Sequence, residues 1–282
     1  MRGPPGSGIV AGAMTDTPRQ PGGQAPSAVA EDRRGVGAFL QRDAGPPRRE
    51  GLDAAERLYL RCYLWQRILI GALGMLLPII LVLCDWWLLS GSLAARGSMS
   101  AYYFSGMRDA FVGVLFAIAV FLVTYKAFDV GPENLVTMIA GLAGIVVALF
   151  PTDGPHDVGG TFPPTPLQNA LGEGKVADVH YGAAITLLVL LALMSALFGV
   201  KEGARPPADG HRPPSFWRWF HIGCATVIGL ALVYALIAEE WHVLDVRESL
   251  LIGEGVAVFT FGLSWMCKGA ERGMLGGALL PP

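Results

Sequence analysis

The chain has 282 residues, of which 52% are hydrophobic and only 16% charged, and its net charge is −2. That composition gives no basic field for a nucleic-acid partner and fits a membrane protein better than one or two soluble domains. The four cysteines (Cys62, Cys84, Cys224 and Cys267) show no C-x-x-C spacing, which argues against a disulfide framework and a thiolate zinc site.

Residues 1–52 are rich in Pro, Gly, Ala, Ser and Arg and carry no periodic apolar positions. Such a segment buries too little apolar surface to offset its ordering entropy and is expected to be disordered. Residues 53–67, DAAERLYLRCYLWQR, set Arg57 and Arg61 four apart beside Leu58, Leu60, Tyr63, Leu64 and Trp65. This pattern predicts an interfacial amphipathic helix with its arginines among head groups. No cleavable secretory signal precedes it, so the first span is expected to act as an uncleaved anchor.

Six apolar runs follow, at 68–89, 110–125, 135–150, 181–200, 220–238 and 250–267. A helix needs roughly 20 residues to cross a hydrocarbon core of about 30 Å. The second and third runs have sixteen residues each, and flanking Tyr102, Tyr103 and Lys126 extend the second by interfacial and snorkelling contacts. Trp86 and Trp87 fit an aromatic belt, and Pro78 marks a kink in the first run. The fold class is therefore all-α: a polytopic six-helix bundle over 68–268, with a cytoplasmic tail at 269–282.

Lys and Arg counts beside the spans set the orientation. Segments 48–67, 126–134, 201–219 and the tail after 267 carry five, one, four and two basic residues, and the opposite loops carry Arg96, Arg108, Lys175 and Arg247. Twelve against four places both termini in the cytoplasm of an inner (plasma) membrane. Gly71 with Gly74, Gly113 with Ala117, Gly141 with Gly144 and Ala148, and Ala231 with Ala235 put small residues on single helical faces, as close helix approach in lipid requires.

The polar residues concentrate at the outer ends of these runs. The stretch 98–109, S-M-S-A-Y-Y-F-S-G-M-R-D, carries three serines, Arg108 and Asp109 ahead of the second span. His180 opens the fourth span and Glu254 lies about one turn inside the sixth. Asp85, Asp153, His156, Asp157, Glu239, Glu240 and His242 stand at the ends of the odd-numbered spans. Ionisable groups at such depth cost free energy unless they are paired, hydrated or metal-bound, and Glu254, among apolar and small residues, is the hardest to explain without function. The candidate polar site is Ser98, Ser100, Arg108, Asp109, His180 and Glu254. Asp109, His180, Glu254 and His156 are candidate ligands for a divalent metal. Arg108 suits bidentate contact with phosphate, or pairs with Asp109 or Glu254. None of the serines sits in G-x-S-x-G.

An S-x-S-A stretch before the second span, Glu-Asn opening the third, a His at the mouth of the fourth and a Glu in the sixth resemble the FRAG/DRAM/SFK superfamily. The matching residues are Ser98, Ser100, Ala101 and Arg108, then Glu133 and Asn134, then His180, Gly182 and Ala183, and Glu254. The resemblance covers roughly residues 68–268. The N-terminal extension and the loop 152–178 depart from it. It implies a multi-span protein concerned with membrane lipids and brings no settled catalytic chemistry. Three functions stay open: an outer-face site that engages lipid head groups or an ion, a metal-dependent lipid hydrolase or acyltransferase, and a non-catalytic scaffold or regulator.

Overall fold

The computed structural model describes residues 54–90, 95–125, 131–154, 163–204, 215–241 and 248–276, all within one compact unit. The extension at 1–52 lies outside them, and so do His156, Asp157 and His242. Among the described residues the only regular structure is helical. Helix α1 is Ala54–Cys84, α2 is Arg108–Thr124, α3 is Pro132–Leu149, α4 is Pro166–Leu171, α5 is Glu173–Gly203, α6 is Ser215–Trp241 and α7 is Ser249–Gly276. A π-helical turn, Asp85–Ser90, ends α1, and a 3-10 turn, Ser100–Phe104, precedes α2.

Five stretches among the described residues are long and apolar enough to cross a membrane: Arg61–Leu88, Pro132–Leu149, Glu173–Gly203, Phe216–Ala238 and Ser249–Gly269. The chain is a multi-span membrane protein. Helix α2 has 17 residues and falls just short of that length. The segment 53–67, expected as an interfacial amphipathic helix, is helical from Ala54 and runs on into the first span, with no Gly or Pro between Ala54 and Ile70 to interrupt α1.

Local signals place the ends. Pro132 starts α3, where its missing N–H costs nothing, with Glu133 in the first turn. Thr165 and Gln168 form a capping box at α4. Gly172, at φ 90°, makes the turn into α5 that a residue with a Cβ resists.

The long helices close into a ring: α1 packs on α7, α7 on α6, α6 on α5, α5 on α3, α3 on α2, and α2 back on α1. Small residues let the backbones meet. A Cβ on Gly262 would lie 2.5 Å from the Gly71 carbonyl oxygen, and one on Gly141 would lie 2.6 Å from the Ala119 carbonyl oxygen. Gly253 of α7 similarly fits against Ala231 and Ala235 of α6. Gly113 departs from the sequence reading, since nothing stands within 4 Å of the Cβ it lacks. The ring encloses an apolar core that includes Leu77, Leu115, Leu122, Leu187 and Phe261, while residues such as Leu69, Leu142, Val189 and Leu230 point outward.

Candidate functional site

Polar groups collect at the two ends of this ring. The end that holds the 3-10 turn is called the loop end. There His180, one of the most buried polar residues, sits two turns into α5. Its Nδ1 lies 2.6 Å from the Phe150 carbonyl oxygen at the end of α3, and its Nε2 lies 2.8 Å from Ser100 Oγ. A carbonyl only accepts, so Nδ1 carries the proton and Nε2 accepts from the Ser100 hydroxyl. Glu254 of α7 accepts from the Met99 backbone N–H at 2.6 Å, and the Leu251 N–H donates to the Gly97 carbonyl oxygen at 2.9 Å. The turn is thereby tied to α3, α5 and α7.

The serines hold the turn itself. Ser98 Oγ accepts from the Ala101 N–H at 3.0 Å, and Ser105 Oγ accepts from the Met107 N–H and donates to the Tyr102 carbonyl oxygen. Asp85, expected at head-group depth, is buried and pairs with Arg96 at 3.6 Å. Its proximity to Trp86 in sequence concealed that partner, which lies eleven residues on. The Arg96 guanidinium also lies 5.8 Å from the Tyr102 ring centre. Burial pushes the Tyr102 phenol above its ordinary pKa.

Four of the six sequence-derived site residues (Ser98, Ser100, His180 and Glu254) thus meet through one short turn. Arg108 and Asp109 stand apart from that network, exposed at the start of α2. Arg108 Nε donates to the Tyr103 carbonyl oxygen at 2.8 Å, and its guanidinium covers the Tyr103 ring at 4.4 Å. Among the described residues neither pairs with another charged side chain. Asp109 in the first turn suits the positive end of the helix dipole. No three His, Cys, Asp or Glu side chains stand together as a metal would require among the described residues, and both ring nitrogens of His180 are already engaged.

At the opposite end, here the charged end, the sequence singles out only Glu133, through the resemblance, and otherwise reads as flanking charge. Five Lys, Arg and Glu residues are buried there: Arg67, Glu133, Lys201, Glu202 and Lys268. Lys201 Nζ pairs with Glu133 Oε1 at 2.7 Å, joining α5 to α3, and Lys268 pairs with Glu202, joining α7 to α5. The Arg67 guanidinium lies 5.1–5.3 Å from the ring centres of Tyr63, Tyr125 and Phe198. The two tyrosine hydroxyls share a hydrogen bond of 2.7 Å. His221 Nδ1 bonds Ser264 Oγ at 2.9 Å. A sequence signal for Arg67 did exist: buried Leu64, Arg67, Ile70, Gly74, Leu77 and Leu81 recur at steps of three and four, so Arg67 lies in register with the inward stripe of α1.

Residues 107–151 match the model of DUF6903, a family of unknown function. They comprise α2, α3 and the segment between them, and include Arg108, Asp109, Tyr125 and Glu133. No curated protein and no solved structure matches the chain.

Proposed function

We propose that the chain is a six-span protein of the inner (plasma) membrane, of the FRAG/DRAM/SFK type, with both termini cytoplasmic and a loop end that binds a phospholipid head group. Connectivity supports the sixth span. Helices α1 and α3 both run from the charged end to the loop end, with Arg67 before Asp85 and Glu133 before Phe150. The chain must return between them, and α2, which rises about 26 Å, is the described segment that makes the return. A reporter fused after residue 160 should score outside; a cytoplasmic signal overturns the orientation.

The observation that carries head-group binding is Arg108. Tyr103 occupies the Nε and the face of this exposed residue, which leaves the edge of its terminal amino groups for a ligand. That edge is the one that grips phosphate bidentately. Asp109 beside it supplies a carboxylate for the ammonium of a zwitterionic head group. Phosphatidylethanolamine is the head group this pairing fits. Native mass spectrometry of the purified protein should find bound phosphatidylethanolamine, and Arg108→Ala should weaken its retention about tenfold or more. A variant that keeps the wild-type lipid complement sinks the reading.

A second reading rests on Ser100 and His180, whose 2.8 Å contact resembles a hydroxyl nucleophile beside its base. In that reading the loop end is a lipid hydrolase or acyltransferase. Ser100→Ala should then leave head-group binding intact and alter the membrane's acyl composition; an unchanged lipid profile rejects it.

A further inference from the structure

Three fully buried polar groups on neighbouring helices have no hydrogen-bond partner: Ser195 Oγ on α5, His221 Nε2 on α6 and Trp265 Nε1 on α7. They centre on Phe198. The Trp265 and His221 rings pack against its ring at 5.1 and 5.7 Å, and Ser195 lies about one turn before it on α5. Each group lacks a bond that its chemistry calls for. An indole N–H only donates. The His221 ring engages Ser264 Oγ through Nδ1 alone, at 2.9 Å. Hydroxyls inside helices commonly bond back to the carbonyl four residues earlier. Thr124, Thr137, Thr186 and Thr226 do so, and Ser195 does not.

We propose that this junction of α5, α6 and α7 binds a small cluster of internal water. Water is neutral and asks for no compensating charge from the helices. It accepts from the indole and either donates to or accepts from the imidazole and the hydroxyl, so one ligand serves all three groups. The hydration ends close by. Leu122, Leu191 and Phe261 line an apolar cavity at the centre of the ring, about one turn nearer the loop end than Tyr125, Ser195 and Trp265. A cavity without polar lining holds no water. The core is therefore wet beside Phe198 and dry at mid-depth. This site is separate from the head-group site and stands or falls independently of it.

The test is NMR of the full chain, labelled with nitrogen-15 at tryptophan, in detergent micelles. Trp265→Phe assigns the Trp265 indole N–H by the resonance that it removes. In the wild-type protein that N–H should show a cross-relaxation peak to water, with the sign of a long-lived contact. Ser195→Ala takes away one partner of the water, so it should shift the Trp265 resonance and weaken the peak. Thr226→Ala, on the outward side of α6, should change neither. If Trp265→Phe does not fold, the resonance displaced by Ser195→Ala supplies the assignment. Absence of the water peak, a peak to lipid or detergent protons in its place, or a peak that Ser195→Ala leaves unchanged each overturns the proposal.

Discussion

The loop end and the charged end both bury polar groups inside a protein whose surroundings are apolar, and they do so with different chemistry. At the loop end the bonds are mostly neutral: an imidazole between a hydroxyl and a carbonyl, and serines folded back onto one turn. Glu254 and the Asp85–Arg96 pair are the exceptions. At the charged end the bonds are ion pairs between helices distant in sequence. A neutral hydrogen bond contributes about 0.5–1.5 kcal/mol net. A buried ion pair contributes little over a well-packed apolar pair, yet is costly to break from one side. The loop end is thus a clasp that tolerates single losses, and the charged end is a lock that does not.

The largest effect should come from breaking the lock on one side. Glu202→Met strands the Lys268 ammonium and should cost about 3–5 kcal/mol, and adding Lys268→Met should recover most of that loss. A double-mutant cycle read by unfolding in detergent checks this; additive losses would mean that the two residues do not act as a pair. At the loop end His180→Leu leaves the Phe150 carbonyl and the Ser100 hydroxyl without their partner and should cost about 1–3 kcal/mol, measured the same way. A loss as large as that of Glu202→Met would erase the contrast between the ends.

The smallest effect is at Tyr102. Burial raises its folded pKa above the unfolded 10.0, so the folded state binds more protons than the unfolded state once pH exceeds that value. Its contribution is fully present below pH 10 and is lost as pH rises through the folded pKa. Tyr102→Phe should leave Tm near pH 7 almost unchanged and reduce the fall in Tm above pH 10. Parallel wild-type and variant curves across that range would contradict it.

Much of this was legible in the sequence for identifiable reasons. The apolar runs mark the helices because lipid demands nearly uninterrupted apolar surface, and Gly71 and Gly141 mark helix contacts because nothing larger fits. Ser98, Ser100, His180 and Glu254 could be grouped because each interrupts or borders an apolar run at one face. Arg108 and Asp109 share that depth but turn outward, a matter of rotation about α2 that depth alone does not encode. The charged end was overlooked because Lys and Arg beside a span ordinarily sit in water. Lys201 and Glu202 follow each other directly, and only the packed ring reveals that one reaches α3 and the other α7.

Those buried cations bear on how the chain is built. Arg67, Lys201 and Lys268 are three of the twelve basic residues whose imbalance sets the proposed orientation, yet in the packed bundle all three are shielded from the membrane surface. They can act as orienting charges only during insertion, while the helices are still separate and each cation faces the anionic leaflet. Closure of the ring then transfers them from lipid head groups to Glu133, Glu202 and the aromatic rings. Assembly thus spends a topological signal on a structural bond, and a bundle so closed has withdrawn part of the charge that would guide its reinsertion.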